Sequence, residues 1–248
     1  NRISGDFNYY NRQGFDLIGN YQSSAIGGSI YKKGNIADLD SYGYELSLNF
    51  IPVKVRNFAW QTSFSYSYHH SEIKNLLTSD WVSRATSVYG VPVNGGPVRG
   101  IYSARFAGLD NQGVPTYYDR DNKKVRYLQV QTSDFSDFEY SGNLEPTSNI
   151  GINNSFKFKN LTVSALITGQ FGHVKRVMQD FNYKYDDASS LSAHLKNRWR
   201  VTGDEKLTNI PAIQDKKTMK STDKVDIKRA YRLYGMSNQW IADASFIR

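Results

Sequence analysis

The fold is decided by the stretch Tyr42–Pro52, which reads Tyr-Gly-Tyr-Glu-Leu-Ser-Leu-Asn-Phe-Ile-Pro. Its even-numbered positions are aromatic, aliphatic or proline, and its odd-numbered positions begin with glycine and polar residues. A β-strand points alternate side chains to opposite faces, whereas a helix would scatter both sets around its circumference. The stretch therefore predicts a strand with one apolar and one polar face.

Four further segments repeat this two-residue alternation. The clearest is Phe58–His69, and weaker examples are Arg2–Tyr10, Asn149–Lys159 and Leu161–Gly172. A sixth strand is expected to begin near Ile241. The polar positions are mostly Ser, Asn, Gly, Thr and Gln rather than Lys and Glu, which suits the polar lumen of a barrel.

The connections between these segments are alternately short and long. Short turns are expected at about Lys54–Asn57 and at Lys159-Asn160. The long connections are Gly19–Ser41, Ser71–Thr147 and His173–Trp240. Outer-membrane barrels have short periplasmic turns and long extracellular loops, so the alternation predicts a transmembrane barrel and its orientation. Trp60 is then expected near the periplasmic interface and Tyr68 near the outer one.

The composition is compatible with a membrane-spanning sheet. The mean hydropathy of −0.58 and the absence of an 18-residue apolar run exclude a membrane-spanning helix. Transmembrane strands need only every second residue to be apolar. Aromatic residues make up 14% of the 248 residues, and such residues favour membrane–water interfaces. Six strands cannot close a barrel with loops of this size, and both chain ends fall within strand patterns, so we expect a fragment of a larger barrel.

The charge pattern does not indicate a nucleic-acid partner. The net charge is +8, but the densest basic run is interleaved with Asp215, Asp223 and Asp226. The basic residues of that run are Lys216, Lys217, Lys220, Lys224, Lys228, Arg229 and Arg232. The chain has no cysteine, which excludes disulfides and cysteine-based metal or thiol chemistry within it.

No metal site is predicted. His69 and His70 are adjacent on a strand, so their side chains point to opposite faces and cannot converge on one ion. Asp119, Asp121 and Asn122 resemble part of a calcium loop, but the required glycine and bidentate glutamate are missing at the right spacing. A polar turn is the preferred interpretation of these three residues.

No catalytic residue is predicted either, and the protein is not expected to be an enzyme. The paired carboxylates, which a glycosidase would need, all lie in loop-like contexts. They are Asp38 with Asp40, Asp134 with Asp137, and Asp186 with Asp187. Loop aromatic residues are candidates for stacking on sugars or docking a partner, although packing within the loops explains them equally well. They are Tyr102, Tyr117, Tyr118, Tyr127, Trp81 and Trp240. No substrate-binding residue is assigned.

Five groups of residues along the chain carry a resemblance to a known family. They are Tyr9-Tyr10-Asn11-Arg12 with Asp16-Leu17-Ile18; Gly43–Phe50; Phe106–Asp110 with Gly113, Pro115 and Asp119; Asn197-Arg198-Trp199 with Gly203-Asp204 and Thr208–Pro211; and Ala244–Arg248. In this order they resemble motifs of the SusC/RagA family of TonB-dependent outer-membrane transporters of Bacteroidetes. Glu145-Pro146-Thr147-Ser148 departs from the family pattern, which usually has Lys-Tyr before the following strand.

The resemblance implies an all-β, antiparallel transmembrane β-barrel of roughly 22 strands with long extracellular loops, located in the cell outer membrane. Residues 1–248 would be the C-terminal part of that barrel, with the plug and the final strands absent. The implied function is TonB-dependent uptake of an oligosaccharide or peptide, without a cofactor. The implied partners are a SusD/RagB-like surface lipoprotein as lid, TonB acting through an N-terminal region, and outer-membrane lipid.

Two alternatives remain at this point. A soluble or surface-attached all-β glycan-binding module would pack the apolar faces against a second sheet. A passive porin would explain the strands but not the loop motifs. The surroundings of the apolar faces of Tyr42–Pro52 and Phe58–His69 distinguish the soluble module from a membrane protein.

Overall fold

A computed structural model of the chain describes residues 2–22, 31–77, 89–128, 137–177, 190–213 and 221–248. These residues form a long six-stranded antiparallel sheet and a smaller folded unit at one end of it. In the order in which they pair, the strands of the long sheet are β1 (Ile3–Gln22), β2 (Tyr31–Val55), β3 (Phe58–Lys74), β8 (Ser148–Phe158), β9 (Leu161–Phe171) and β12 (Phe246–Ile247).

The register of these strands aligns their apolar residues in continuous rows. One row is Gly5, Leu48, Phe64, Ile152 and Ile167, and the next is Phe7, Leu46, Tyr66, Ile150 and Gly169. Between them runs a polar row of Asp6, Ser47, Ser65, Gly151 and Thr168. Because successive side chains point to opposite faces, one face of the sheet is apolar and the other polar. The predicted alternation is confirmed in all five strands.

One predicted position on the apolar face is wrong. Between Phe50 and Val53 the register with β3 shifts by one residue, and Ile51 and Pro52 have no partner in β3. Proline cannot donate an N–H to the ladder, so it is accommodated at such a bulge. After the bulge Val53, rather than Pro52, lies opposite Trp60.

The predicted long connection Gly19–Ser41 is also wrong, because β1 and β2 remain paired through most of it. The register shifts between Gly14 and Leu17, where Asp16 has a φ of 57°. These irregularities interrupt the two-residue pattern while the backbone ladder continues beyond them. The hairpin is therefore longer than its side-chain pattern indicates.

The other two long connections contain a folded unit, which we call the loop unit. Its strands are β4 (Gly100–Leu109), β5 (Pro115–Tyr118), β6 (Lys124–Val125), β7 (Phe138–Asn143), β10 (Val174–Arg176) and β11 (Ile241–Asp243). Its helices are α1 (Ser221–Tyr234) and 3₁₀ helices at Ala193–Asn197, Asp204–Lys206 and Asn238–Trp240. β6-β5-β4-β7 form a four-stranded sheet, and β10 pairs with β11. The connections expected as loops thus have secondary structure of their own.

The sixth strand of the long sheet begins later than expected. The segment at Ile241 pairs with β10 in the loop unit rather than with β9. Asp243 then accepts a hydrogen bond from the backbone N–H of Ser245 at 2.8 Å, forming a turn. The chain joins the long sheet only at Phe246, which lies opposite Gln170 of β9.

The hydrophobic core of the described residues lies in the loop unit. Its buried members are Tyr102, Ala104, Val114, Tyr117, Leu128, Phe138, Leu195, Ile227, Ala230, Tyr231, Leu233 and Tyr234. The long sheet contributes no residue to this cluster, and Phe7 and Val163 on its apolar face are 67% and 55% exposed. The apolar face is therefore not packed against a second sheet within the described residues. Within the same residues, no helix has the length and hydrophobicity needed to cross a membrane.

Candidate functional site

The polar face of the long sheet contains an open depression of about 460 Å³. Its polar-face lining consists of Glu45, Ser47, Ser65, Ser67, Asn149, Gly151, Thr168, Gln170 and Phe246. One row of its lining is small, with Ser47, Ser65, Gly151 and Thr168, and the neighbouring row is Glu45, Ser67, Asn149 and Gln170. The depression thus offers hydroxyl, amide and carboxylate groups to a polar ligand or polypeptide segment.

Tyr10 crosses a neighbouring strand on this face to reach His69. Its hydroxyl lies 2.9 Å from Nδ1 of His69, and the two rings stack with centroids 6.2 Å apart. Gly43 lies between them in register, and a Cβ there would approach Cζ of Tyr10 to 2.6 Å. The guanidinium carbon of Arg12 lies 4.7 Å from the centroid of the Tyr10 ring. A cation, a phenol and an imidazole are therefore gathered near the loop-unit end of the polar face.

His70 occupies the opposite face, as predicted from the strand alternation. Its ring lies 5.1 Å from that of Tyr42, and Tyr44 stacks on Tyr68 at 5.0 Å. These four residues form an aromatic cluster at the loop-unit end of the apolar face. No group of three or more potential metal ligands (His, Cys, Asp or Glu) with suitable geometry occurs among the residues described.

The other end of the apolar face, next to the short turns, carries a second aromatic group. Trp60 stacks on Phe156 with centroids 5.7 Å apart, and its indole N–H donates to Oδ1 of Asn154 at 3.2 Å. The short turns themselves lie at residues 56–57 and 159–160, close to their predicted positions. The apolar face is thus flanked at both ends by rings with a polar atom, the arrangement expected at two membrane interfaces.

Arg176 on β10 joins three segments of the loop unit. Its guanidinium donates to the carbonyls of Ser237 and Tyr102 and to the hydroxyl of Ser103, each at 2.9 Å. The residue is 8% exposed, and burial lowers the pKa of Arg176 to about 10. A buried cation is costly unless it is hydrogen-bonded, so these three bonds hold β10 against β4 and Ser237, while Nε of Arg176 has no partner among the described residues. No local pattern in the sequence indicates this role.

Two of the motifs that carried the resemblance meet in the loop unit. Gly113 has a φ of 73°, and a Cβ on it would lie 2.6 Å from Cε3 of Trp199. The Trp199 indole donates to Glu205 at 3.0 Å, which is the main reason that the pKa of Glu205 is lowered. Gly113 also accepts a backbone hydrogen bond from Ala212 at 3.0 Å. Both motifs therefore contribute to the packing of the loop unit.

The aromatic residues that the sequence singled out for ligand or partner contact are mostly packed. Tyr117 is fully buried and donates to the carbonyl of Ala230 at 2.6 Å, and Tyr102 is also buried. Tyr127 and Trp240 are partly buried against the same core. Tyr118 is 41% exposed. Trp81 lies outside the described residues.

The members of the candidate carboxylate pairs that the structure describes are Asp38, Asp40 and Asp137. Asp38 accepts hydrogen bonds from Asn75 and from the backbone of Asp16, whereas Asp40 lies opposite Glu72 of β3. Asp137 is buried and accepts from the backbone N–H of Arg120. Asp134, Asp186 and Asp187 lie outside the described residues.

The predicted polar turn at Asp119 is confirmed. One carboxylate oxygen of Asp119 accepts backbone hydrogen bonds from Asp121 and Lys123, at 3.0 and 2.8 Å. Asn122 adopts a φ of 59° and accepts a hydrogen bond from Arg105. The Asp119 carboxylate thus serves the turn itself, and the Asn122 side chain is engaged by Arg105.

Comparison with known proteins gives relatives of one kind. The chain is 22% identical over 244 residues to the TonB-dependent receptor P3 of Formosa agariphila, covering 88% of this chain and 23% of the relative. It is 32% identical over 81 residues to the TonB-dependent receptor SusC of Bacteroides thetaiotaomicron, covering 32% of this chain and 8% of SusC. No family model matches the chain. These matches confirm the resemblance found in the motifs.

Solved structures of the RagAB peptide importer share the fold. The closed-closed state superimposes with a TM-score of 0.68 at 20% identity, and the open-open state with 0.68 at 18%. Both alignments cover all of this chain and 26% and 25%, respectively, of the matched chains. The receptor P3 and the RagAB structures match most or all of this chain. This chain spans only about a quarter of the length of each of them.

Proposed function

We propose that this chain is the C-terminal barrel portion of a TonB-dependent transporter of the SusC/RagA type in a bacterial outer membrane. The long sheet would form part of the wall of a barrel of about 22 strands. Its apolar face would contact lipid and its polar face the lumen. The loop unit would form part of the extracellular mouth.

The observation that carries this proposal is the uncovered apolar face. Its rows run without interruption across β1, β2, β3, β8 and β9, and large side chains on it remain exposed. A monomeric soluble protein seldom exposes a contiguous apolar surface of this extent. In lipid the same face needs no cover, but the backbone at open sheet edges does need partners. The proposal therefore requires additional strands beside β1 and β12.

The proposed activity is energy-dependent uptake of an oligosaccharide or peptide. TonB would act through a region outside this chain, and a SusD/RagB-like lipoprotein would cover the mouth that the loop unit lines. Support comes from the relatives, which are TonB-dependent receptors and a peptide importer. The role would be binding and translocation rather than catalysis, since the described carboxylates of the candidate pairs serve turns and strands.

The glycan-binding alternative predicts a second sheet over the apolar face. No second sheet covers that face among the described residues; the turn at Gly95 and Gly96, which precedes β4, instead exchanges backbone hydrogen bonds of 2.8 Å with Ile73 near the end of β3. A passive porin would explain the strands but not the loop motifs. We therefore retain the TonB-dependent transporter as the proposed function.

Surface labelling in intact cells tests the proposed topology. One epitope would be inserted at Lys159-Asn160 in the turn between β8 and β9, and another next to Gly203 in the loop unit of the full-length protein. We expect antibody to bind the Gly203 epitope on intact cells, and the turn epitope only after permeabilisation. Equal labelling of both epitopes on intact cells would contradict the topology.

Deletion of TonB tests the proposed energy source. Uptake that continues without TonB would contradict the proposal that transport depends on it.

A further inference from the structure

We propose that Arg12 and His69 form a binding site for a carboxylate group of the transported substrate. This inference rests on the proposed function, because it requires the polar face of the long sheet to line the transport path. The site has Tyr10 at its centre, with the guanidinium of Arg12 above the ring and His69 at the hydroxyl edge.

The free groups of this cluster are hydrogen-bond donors. Nδ1 of His69 is engaged with the Tyr10 hydroxyl, which leaves Nε2 as the free ring nitrogen. When the hydroxyl donates to Nδ1, the ring proton of neutral histidine is on Nε2, and protonated histidine carries it there as well. Arg12 is exposed and presents a guanidinium that is always charged. Two donor groups that contact the same tyrosine, one of them cationic, favour an anionic oxygen ligand.

In the described part of the chain, no acidic side chain forms an ion pair with either donor group. Among the described residues, Arg12 takes part in no ion pair. Ser41 lies opposite Arg12, and the nearest acid along β2 on the same face is Glu45, four residues away or about 13 Å. Asp40 and Glu72 lie next to Ser41 and Ser71 in the row opposite Arg12, but their side chains alternate onto the opposite face. The guanidinium is thus held on an aromatic ring with its donors available to a ligand.

The cluster of Arg12, Tyr10 and His69 lies between the loop unit and the depression on the polar face. The row of Tyr10, Gly43 and His69 is two residues closer to the loop unit than the row containing Glu45 and Ser67, which borders the depression. A substrate that enters from the loop unit would meet the cationic cluster before the hydroxyl and amide groups of the depression. The carboxylate of the substrate would bind to the cationic cluster, and its neutral polar groups would bind in the depression.

Equilibrium binding to the purified full-length receptor tests this site. The probes are an end-blocked tetraglutamate with tetraglutamine as its neutral counterpart, and tetragalacturonate with its methyl ester. The two pairs distinguish a peptide from a sugar as the source of the carboxylate. We expect the receptor to prefer the acidic member of at least one pair. Arg12→Gln should reduce that affinity roughly tenfold, as loss of a charge-assisted pair does, and should leave the neutral member unchanged.

A matched control separates this site from the general charge of the lumen. Lys157 lies on the same face opposite Ala59, ten residues or about 33 Å along β3 from His69. Lys157→Gln removes the same charge and should leave the affinity unchanged, whereas His69→Gln should reduce it several-fold. Each variant would first be shown to retain its heat-resistant folded form on gel electrophoresis, so that loss of folding is not mistaken for loss of binding.

Three outcomes would overturn the site: no acidic probe binds, acidic and neutral probes bind equally, or Arg12→Gln and Lys157→Gln have the same effect. If any of these occurs while uptake still depends on TonB, only the carboxylate site fails. If the preference for acidic probes is found but uptake is independent of TonB, the proposed function fails and the site stands.

Discussion

The ring of Tyr10 lies across Gly43 on the adjacent strand, so closely that a Cβ at position 43 would lie 2.6 Å from Cζ of the ring. The small residue and the large one fit together because β1 and β2 pair Tyr10 directly with Gly43. Both residues belong to motifs that carry the resemblance. The Tyr10 ring and the backbone carbonyl of Tyr68 together leave no room for a side chain at position 43, which explains the glycine in an otherwise alternating strand.

Gly43→Ala is therefore expected to displace the Tyr10 ring and to destabilise the barrel by about 1–3 kcal/mol, the usual effect of overpacking. The measurement is the temperature at which the full-length protein loses its heat-resistant form on gel electrophoresis. Gly14→Ala is the control, since a Cβ there would meet its neighbours only at 3.7 Å or more. If Gly43→Ala and Gly14→Ala lower this temperature equally, the close contact at Gly43 has no specific role in stability.

In the loop unit, Tyr117→Phe is expected to cost about 0.5–1.5 kcal/mol, because it removes the hydroxyl that donates to Ala230 at 2.6 Å and leaves a buried carbonyl without that partner. Tyr118→Phe, at the next residue, should change the stability by less than about 0.5 kcal/mol because Tyr118 is partly exposed. Hydrogen exchange of the loop unit is the measurement. Similar protection in both variants would contradict the assigned core.

Arg176→Met is expected to loosen β10 from β4 and from Ser237 within the loop unit. The substitution leaves the carbonyls of Tyr102 and Ser237 without their donor, at about 1–3 kcal/mol for each buried group. Limited proteolysis on intact cells should then cleave the loop unit faster. Arg99→Met is the control, since its ion pair with Glu145 is exposed and worth about 1 kcal/mol or less. The same cleavage rate in both variants would refute the role of Arg176.

Alkaline pH is expected to destabilise the loop unit. Burial raises the pKa of both Tyr117 and Tyr234 above the ordinary value of 10.0. The unfolded chain therefore releases these protons first, and stability falls as the pH rises above 10.0 toward the folded-state pKa. Each group contributes at most about 1.4 kcal/mol per pH unit. Tyrosinate absorbance should show Tyr117 and Tyr234 ionising only as the loop unit unfolds, and Tyr117→Phe should reduce the pH dependence.

The sequence predicted the long sheet well because a half-buried strand imposes a strict period of two. The face of every residue in Phe58–His69 follows from that period, including the opposite orientations of His69 and His70. The prediction failed where the backbone departs from regular geometry, at the bulge beside Pro52 and at the irregular pairs near Asp16. A bulge changes the phase of the pattern without ending the strand.

The strands of the loop unit could not be predicted from a two-residue alternation. Its strands are short, and β4 is buried along much of its length, so no alternation of polar and apolar residues marks them. Arg176 and Tyr117 acquire their roles from partners 61 to 113 residues away, which no local pattern reveals. The Tyr10–His69 contact likewise depends on the register of three strands.

Single cysteines introduced at Phe64 and at Ser65 test the orientation of the long sheet in the membrane, and these 248 residues contain no native cysteine that would also be labelled. Spin labels at the two positions in the full-length receptor, embedded in outer membranes, would report accessibility to oxygen in lipid and to a water-soluble relaxation agent. We expect lipid exposure at Phe64 and none at Ser65. Equal access of the water-soluble agent to both positions would contradict this orientation.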